Sequence, residues 1–204
     1  MKYYTRDSTL IISGEFEGLS TGINGGRKYI ESIFNHEVKT GFEHKDPLQY
    51  MDDVADSVDV RQPYFGLLTA VSMDNLCINT DDYLTTFVTA GITHPSIYRL
   101  NNYNPGTINI ILIVDGFLSE GAMAGAMITA TEAKGLALLE MGYDFLGTTT
   151  DAVVVAYQKQ NENPDSYIEY AGSYTEFGEK ITNTVIEGVK EGIKKTHKES
   201  YRPD

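Results

Sequence analysis

The chain has one cysteine, Cys77, and no tryptophan among its 204 residues. A single cysteine cannot form a disulfide within the chain or build a thiolate zinc site. A chain of this length can bury roughly 70% of the surface that its unfolded form exposes, so it does not need cross-links to fold. This composition is compatible with a reducing compartment, and we expect a cytoplasmic protein.

Basic residues and long apolar runs are also scarce. The sequence has 16 Lys and Arg against 29 Asp and Glu, which gives a formal net charge of −13. Such a field repels phosphate backbones and anionic membrane surfaces. No apolar run approaches the roughly 20 residues that cross a bilayer, and residues 1–8 are too polar for a signal peptide. We therefore expect neither a nucleic-acid partner nor a membrane partner.

The motifs of several common enzyme classes are absent. The sequence contains no Walker A, GxGxxG or GxSxG motif, and its four histidines show no HExxH or other paired spacing. We therefore predict no metal site. The segment Asn24-Gly25-Gly26 could form a phosphate-binding nest, but a turn after a strand is the more frequent structure for this composition.

Hydrophobic periodicity predicts alternating strands and helices. Strands are predicted at 9–13, 16–23, 108–114 and 152–156, with a hairpin formed by 65–73 and 83–91. Helices are predicted at 46–58 with Asp46 as N-cap, at 119–141 with Ser119 as N-cap and Gly142 as its stop, and from a capping box at 173–176. Residues 198–204 are expected to form a frayed tail.

This order predicts an α/β fold with one domain over residues 1–204. A mixed β-sheet with helices packed on it fits the order, and a layered α+β sandwich is the alternative. The strands at 108–114 and 152–156 flank one helix, so a βαβ crossover should make them parallel.

Two charged residues stand out on the otherwise apolar helix at 119–141. Glu132 and Lys134 are two positions apart, so their side chains point about 200° from each other and are not expected to pair. Each could lie at a helix edge in solvent. Alternatively, one of them could hold or protonate a ligand in a cleft, because a buried charge costs several kcal/mol unless it is paired.

The segment Gly147-Thr148-Thr149-Thr150-Asp151 leads directly into a predicted strand. Three hydroxyls before a carboxylate could supply a nucleophile, its activating group and backbone donors for an oxyanion, which acyl transfer requires. Threonine-rich strand starts also arise from β-propensity and turn chemistry alone.

Several blocks of sequence together resemble the adenosylcobinamide amidohydrolase family of corrinoid salvage. The blocks are LSTGINGG (19–26), GLLTA (66–70), VTAG (88–91), GTIN (106–109), EG (120–121), ITATEAK (128–134), GTTTDAVVVA (147–156) and GSYTEFG (172–178). They span roughly residues 19–189 in the order of the family. The chain departs from the family pattern at Thr93-His94-Pro95.

The resemblance implies hydrolysis of the amide that joins aminopropanol to the propionate arm of the corrin ring, with release of adenosylcobyric acid. The partner would be a small-molecule corrinoid that carries its own cobalt, so no separate cofactor is implied. A homo-oligomer is compatible with this function. Two other classes stay open: a corrinoid-binding module without turnover, and a hydrolase of another amide with a Thr nucleophile exposed by cleavage at Gly147-Thr148.

Amide hydrolysis needs a nucleophile, donors for the tetrahedral oxyanion and an acid for the departing amine. Our hypothesis is that Asp151 or Glu132 activates a water or a Thr hydroxyl, with Thr149 and Thr150 as the hydroxyl candidates. Lys134 and Asn109, with backbone N–H groups around Gly147, would stabilise the oxyanion. The predicted substrate-binding residues are Asn24, Gly25, Gly26, Thr69, Thr89, Asn109, Gly147 and Thr148.

Overall fold

The computed structural model of the chain describes residues 1–39, 42, 44–92, 106–158 and 166–200. The departure from the family pattern at Thr93-His94-Pro95 lies outside the described residues. No helix within these ranges has the length and apolar character needed to cross a membrane.

Strands and helices alternate along the chain. The strands are β1 (Lys2–Arg6), β2 (Thr9–Ser20), β3 (Gly26–Glu37), β4 (Tyr64–Thr69), β5 (Cys77–Asp81), β6 (Leu84–Ile92), β7 (Gly106–Val114), β8 (Phe117–Leu118), β9 (Ala152–Gln158) and β10 (Tyr167–Ile168). The helices are α1 (Pro47–Ser57), α2 (Glu120–Glu140) and α3 (Glu176–Ser200).

Eight of these strands form one mixed sheet, in agreement with the predicted α/β class. The strand order is β4-β3-β2-β9-β7-β6-β5, and β1 pairs with β2 outside this path. The central pair β7 and β9 is parallel, in register from Asn109 opposite Ala152 to Val114 opposite Tyr157. Helix α2 lies between these two strands in the chain, so the predicted crossover is confirmed.

The sheet is strongly curved. Asn35 on β3 donates a hydrogen bond of 2.9 Å to Thr89 on β6, although the two strands are four places apart in the sheet. In a flat sheet that separation would be about 19 Å. The concave face encloses one apolar cluster, which includes Phe16, Phe65 and Ile111.

The convex face is covered by the helices. Alternate residues of β7, such as Ile110 and Leu112, pack beneath α2 and α3, while α1 covers the β2–β4 part through Met51 and Ala55. Because β7 is buried on both faces, almost every position from 107 to 114 must be apolar or internally hydrogen-bonded.

Helix α2 begins and ends where local sequence signals predict. The Ser119 hydroxyl accepts a hydrogen bond of 2.8 Å from the Ala122 N–H, and Gly142, with φ of +87°, follows the helix. Its row of alanines is fully buried and lets α2 pack closely against α3 and β9. Asp46 caps α1 through the Gln49 N–H at 3.1 Å, also as predicted.

Three local predictions were wrong. Residues 65–73 do not form a hairpin with 83–91, because β4 pairs in parallel with β3 and β6 pairs with β5 near the other edge. Strand β3, which the periodicity did not predict, is the partner of β4. The predicted strands 9–13 and 16–23 form the single strand β2 with an irregularity between Ser13 and Phe16. Thr175, and not Ser173, caps the first turn of α3. The Thr175 hydroxyl accepts a hydrogen bond of 3.0 Å from the Gly178 N–H.

Candidate active site

A cavity of about 780 Å³ lies where β7 and β9 begin and where β2 and β4 end. This volume is within the usual range for small-molecule sites. Its lining residues are Thr21, Gly22, Ile23, Val38, Lys39, Phe42, His44, Pro47, Gly66, Leu67, Leu68, Thr69, Ala70, Gly106, Thr107, Asn109, Thr149, Thr150, Asp151 and Ala152. We call the part of the lining from β7 and residues 149–152, which carries hydroxyl, amide and carboxylate groups, the polar wall. The part from Val38, Phe42, His44 and Pro47 is the aromatic wall.

The Asp151 carboxylate organises the polar wall. Its Oδ1 accepts hydrogen bonds from the Ile108 N–H at 2.9 Å and the Thr148 hydroxyl at 2.5 Å. Its Oδ2 accepts from the Thr148 N–H at 2.9 Å and from Lys134 Nζ at 2.5 Å. With four donors, the acceptor positions of this carboxylate are filled. The carboxylate therefore ties the 147–150 loop to β7 and to α2.

Lys134 reaches Asp151 from the buried side of α2. The side chains of the pair are only 8% and 9% exposed. A buried ammonium is tolerated because it has this partner. Gly147 lies directly beside the pair, since a Cβ added there would fall 2.5 Å from both Lys134 Nζ and Asp151 Oδ2. Glycine at this position therefore leaves room for the ion pair.

Two threonine hydroxyls meet at the mouth of the loop. Thr150 Oγ1 lies 2.6 Å from Thr107 Oγ1, and it also donates to the Gly106 carbonyl at 3.2 Å. Both threonines line the cavity, as does Thr149. Thr148 Oγ1 has one proton but two acceptors within reach, Asp151 Oδ1 and the Gly106 carbonyl at 2.7 Å. This hydroxyl can therefore turn from one acceptor to the other.

A buried amide network lies at the base of the cavity. Asn109 donates from Nδ2 to Asn35 Oδ1 and to the Leu68 carbonyl, both at 3.0 Å. Because these partners are oxygen acceptors, they determine which way the Asn109 amide points. Its Nδ2 thus has no proton left for an oxyanion. Its Oδ1 is buried and has no hydrogen-bond partner among the described residues.

Of the other predicted substrate-binding residues, some line the cavity and some lie outside its lining. Thr69 lines the cavity, whereas Thr89 is buried behind Asn35. Asn24 lies in the β2–β3 turn, where its Oδ1 accepts from the Gly66 N–H and its Nδ2 donates to the Tyr64 carbonyl, each at 3.0 Å.

The neighbouring Gly25 and Gly26 shape the same turn. Gly26 has φ of +90°, and a Cβ on Gly25 would collide with backbone oxygens. These turn residues position Gly22 and Ile23, which line the cavity.

The structure separates Glu132 and Lys134, the two charged residues of α2 that the sequence singled out. Lys134 is buried beside Asp151, but Glu132 is exposed and is not among the residues that line the cavity. The structure therefore brings Asp151, Thr149, Thr150, Thr69 and Asn109 to one cavity. It places Lys134, Gly147 and Thr148 directly behind Asp151.

Several cavity residues were not found by sequence reasoning. Thr107 carries a weak local signal, since it lies within a β-strand, and the same holds for Asn35, which contacts Asn109 behind the cavity lining. His44 and Phe42 lie in the segment before α1, and their rings stack with centroids 6.0 Å apart and planes at 10°. A histidine two residues before a helix N-cap was the available signal for His44. Within the described ranges, no three His, Cys, Asp or Glu side chains are grouped so that they could hold a metal ion.

Known proteins match this chain over a range that includes every residue of the site. A family model described as adenosylcobinamide amidohydrolase matches residues 3–201. The adenosylcobinamide amidohydrolase of Methanosarcina mazei is 50% identical over 198 residues, which is 95% of this chain and 98% of that protein.

Two more distant relatives also match most of the chain. An uncharacterised protein of Methanocaldococcus jannaschii, MJ1613, is 29% identical over 93% of this chain and 87% of its own length. The adenosylcobinamide amidohydrolase of Halobacterium salinarum is 28% identical over 86% of this chain and 79% of its own length.

Proposed function

The chain belongs to the adenosylcobinamide amidohydrolase family, and we propose that it cleaves the amide between aminopropanol and the propionate arm of the corrin ring. The products are adenosylcobyric acid and free aminopropanol, so the enzyme is a hydrolase acting on an amide C–N bond. The corrinoid is the substrate and brings its own cobalt, so the reaction needs no separate cofactor. Corrinoid salvage of this kind fits a cytoplasmic enzyme.

The observation that carries this proposal is the Asp151-centred loop, which presents Thr149 and Thr150 to a cavity of about 780 Å³. The cavity accommodates the aminopropanol arm and one side of the macrocycle. Apolar side chains such as Leu67 and Phe42 suit the macrocycle, and the hydroxyl-bearing wall suits the amide. An acidic protein tolerates a corrinoid that is not anionic.

The reaction begins with attack on the amide carbonyl by a water or by the Thr150 hydroxyl. Thr107, 2.6 Å from Thr150, orients that hydroxyl. When the Thr148 hydroxyl turns to the Gly106 carbonyl, it frees one acceptor position on Asp151 Oδ1. Asp151 then takes the proton from the attacking group and returns it to the departing amine nitrogen. When Thr150 is the attacking group, a water afterwards hydrolyses the ester on Thr150, which releases adenosylcobyric acid and restores the hydroxyl.

The remaining polar groups hold the substrate and the loop. Backbone N–H groups of the 147–150 loop stabilise the developing oxyanion, apart from that of Thr148, which donates to Asp151. Asn109 braces the base of the cavity through its bonds to Asn35 and to the Leu68 carbonyl. Lys134 keeps Asp151 in place, and Glu132 stays outside the reaction.

The test is mass spectrometry of the purified protein incubated with adenosylcobinamide. Adenosylcobyric acid and free aminopropanol should appear, and an intact chain of 22.6 kDa would exclude self-cleavage between Gly147 and Thr148. Asp151→Asn should lose turnover, whereas Glu132→Gln should retain it. If the pattern of these two variants is reversed, the role of base belongs to Glu132.

A second function is favoured by the four filled acceptor positions of Asp151, which suit a module that binds a corrinoid without turnover. Tight binding of adenosylcobinamide with no release of aminopropanol would establish that alternative.

A further inference from the structure

His44 lines the cavity but has no role in the reaction proposed above. It lies on the aromatic wall, just before α1. Among the described residues, no hydrogen bond joins His44 to Thr107, Thr149 or Thr150. A general base must lie within hydrogen-bond reach of the group that it deprotonates. His44 is therefore available to another part of the substrate.

The surroundings of His44 determine which ring nitrogen is free. Nδ1 lies 2.7 Å from the Asp46 carbonyl oxygen, which can only accept a hydrogen bond. The Asp46 N–H is farther from Nδ1, at 3.1 Å, and we assign the proton to Nδ1 from the shorter carbonyl contact. The lone pair is then on Nε2, which has no hydrogen-bond partner among the described residues.

The ring of His44 is also held in place. It stacks on Phe42 and lies 5.3 Å from the Tyr50 ring at an angle of 42°. An imidazole that donates Nδ1–H to a backbone carbonyl and keeps Nε2 free has the arrangement typical of a metal-ligating histidine.

The chemistry of the substrate supplies a metal for this nitrogen. In a complete cobamide, the arm that carries aminopropanol also holds the base that coordinates cobalt from the lower face of the ring. Cobinamide lacks that base, so its lower axial position is open to a ligand. Because the arm projects from the same lower face, the cavity that receives its amide lies beneath that face.

We propose that His44 Nε2 coordinates the cobalt of the substrate from the lower face while the arm lies against the 147–150 loop. This inference rests on the proposed function, because it uses the position of the arm in the cavity. The bond makes His44 a specificity-determining residue. It favours corrinoids without a lower base over complete cobamides, in which that axial position is already filled.

The test is electron paramagnetic resonance of the protein mixed with cob(II)inamide, whose unpaired electron senses the axial ligand. An axial nitrogen should split each cobalt hyperfine line into a triplet in the unaltered protein. Protein grown with histidine that carries the heavy nitrogen isotope should give a doublet instead, and this measurement needs no substitution. His44→Ala should lose the nitrogen splitting.

His197→Ala is the matched control, since His197 is exposed on α3 and its ring lies near the Ile92 carbonyl. It should keep the triplet. His36 is not a candidate ligand, because both of its ring nitrogens are engaged, by Thr9 at 2.8 Å and by Tyr50 at 3.1 Å.

The inference is overturned if cob(II)inamide fails to bind, if the bound form shows no nitrogen splitting, or if the splitting survives in His44→Ala. Release of aminopropanol from adenosylcobinamide is measured separately. A triplet without aminopropanol release would refute the proposed function and leave the axial ligand standing. Aminopropanol release without a triplet would support the proposed function and refute the axial ligand.

Discussion

Replacement of Asp151 by Asn is the substitution that tests the site most directly. The shape of the side chain is conserved, but the new amide has one oxygen where the carboxylate has two. With the amide nitrogen turned toward β7, the Ile108 N–H loses its acceptor, while the Thr148 hydroxyl can turn to the Gly106 carbonyl. With the nitrogen turned the other way, Lys134 loses its partner.

The expected loss in the free energy of unfolding is about 3–5 kcal/mol, the usual cost of breaking a buried ion pair by removing one charge. The unpaired Ile108 N–H accounts for about 1–3 kcal/mol of it. Lys134→Met should cost less, about 1–3 kcal/mol, because three hydrogen bonds still stabilise the carboxylate. In the double variant the two costs should overlap by about 1–3 kcal/mol.

Urea unfolding followed by circular dichroism measures these free energies for the unaltered protein, the two single variants and the double variant. Asp144→Asn, which changes an exposed carboxylate near the end of α2, is the matched control and should stay within about 0.5 kcal/mol of the unaltered protein. A loss below about 1 kcal/mol for Asp151→Asn, or costs that simply add in the double variant, would refute the reasoning.

Three further substitutions test other parts of the structure. Gly147→Ala should lower both turnover and the unfolding free energy, because the added Cβ pushes apart the buried ion pair; unchanged turnover would show that the loop can adjust. Burial lowers the pKa of His36 below 6.5, so its stabilising contribution is complete above about pH 6.5 and is lost as the pH falls through the folded-state value. Urea unfolding from about pH 7 to about pH 5 should show this loss, and His36→Gln should remove that part of the pH dependence. Asn109→Asp places a carboxylate oxygen against two acceptor oxygens and should cost about 2–4 kcal/mol by the same assay, with a cost below about 1 kcal/mol arguing against the assigned amide orientation.

Local sequence signals were sufficient for the centre of the fold. The aliphatic run of β7, the Ser119 cap and Gly142 mark the strand and helix boundaries, because each acts within a few residues of chain. The same central segment carries blocks that identified the family and drew attention to Asp151 and its threonines.

Strand pairing was the weakest prediction, since it depends on residues far apart in the chain. Nothing near β4 in the sequence indicates that its partner is β3 instead of β6. The choice depends on which apolar faces meet in the curved sheet, where Phe65 packs with Phe16 and Ile111.

The sequence alone determined the βαβ unit, the caps of α1 and α2, and the family, because these depend on short patterns and on residue identity. Only the tertiary structure decided that Lys134 is buried against Asp151 while Glu132 faces solvent. It alone also brought His44 from the segment before α1 to the cavity. The physical reason is that burial and pairing of a charge are set by elements that meet across the fold, and such meetings leave no periodic signal in the chain.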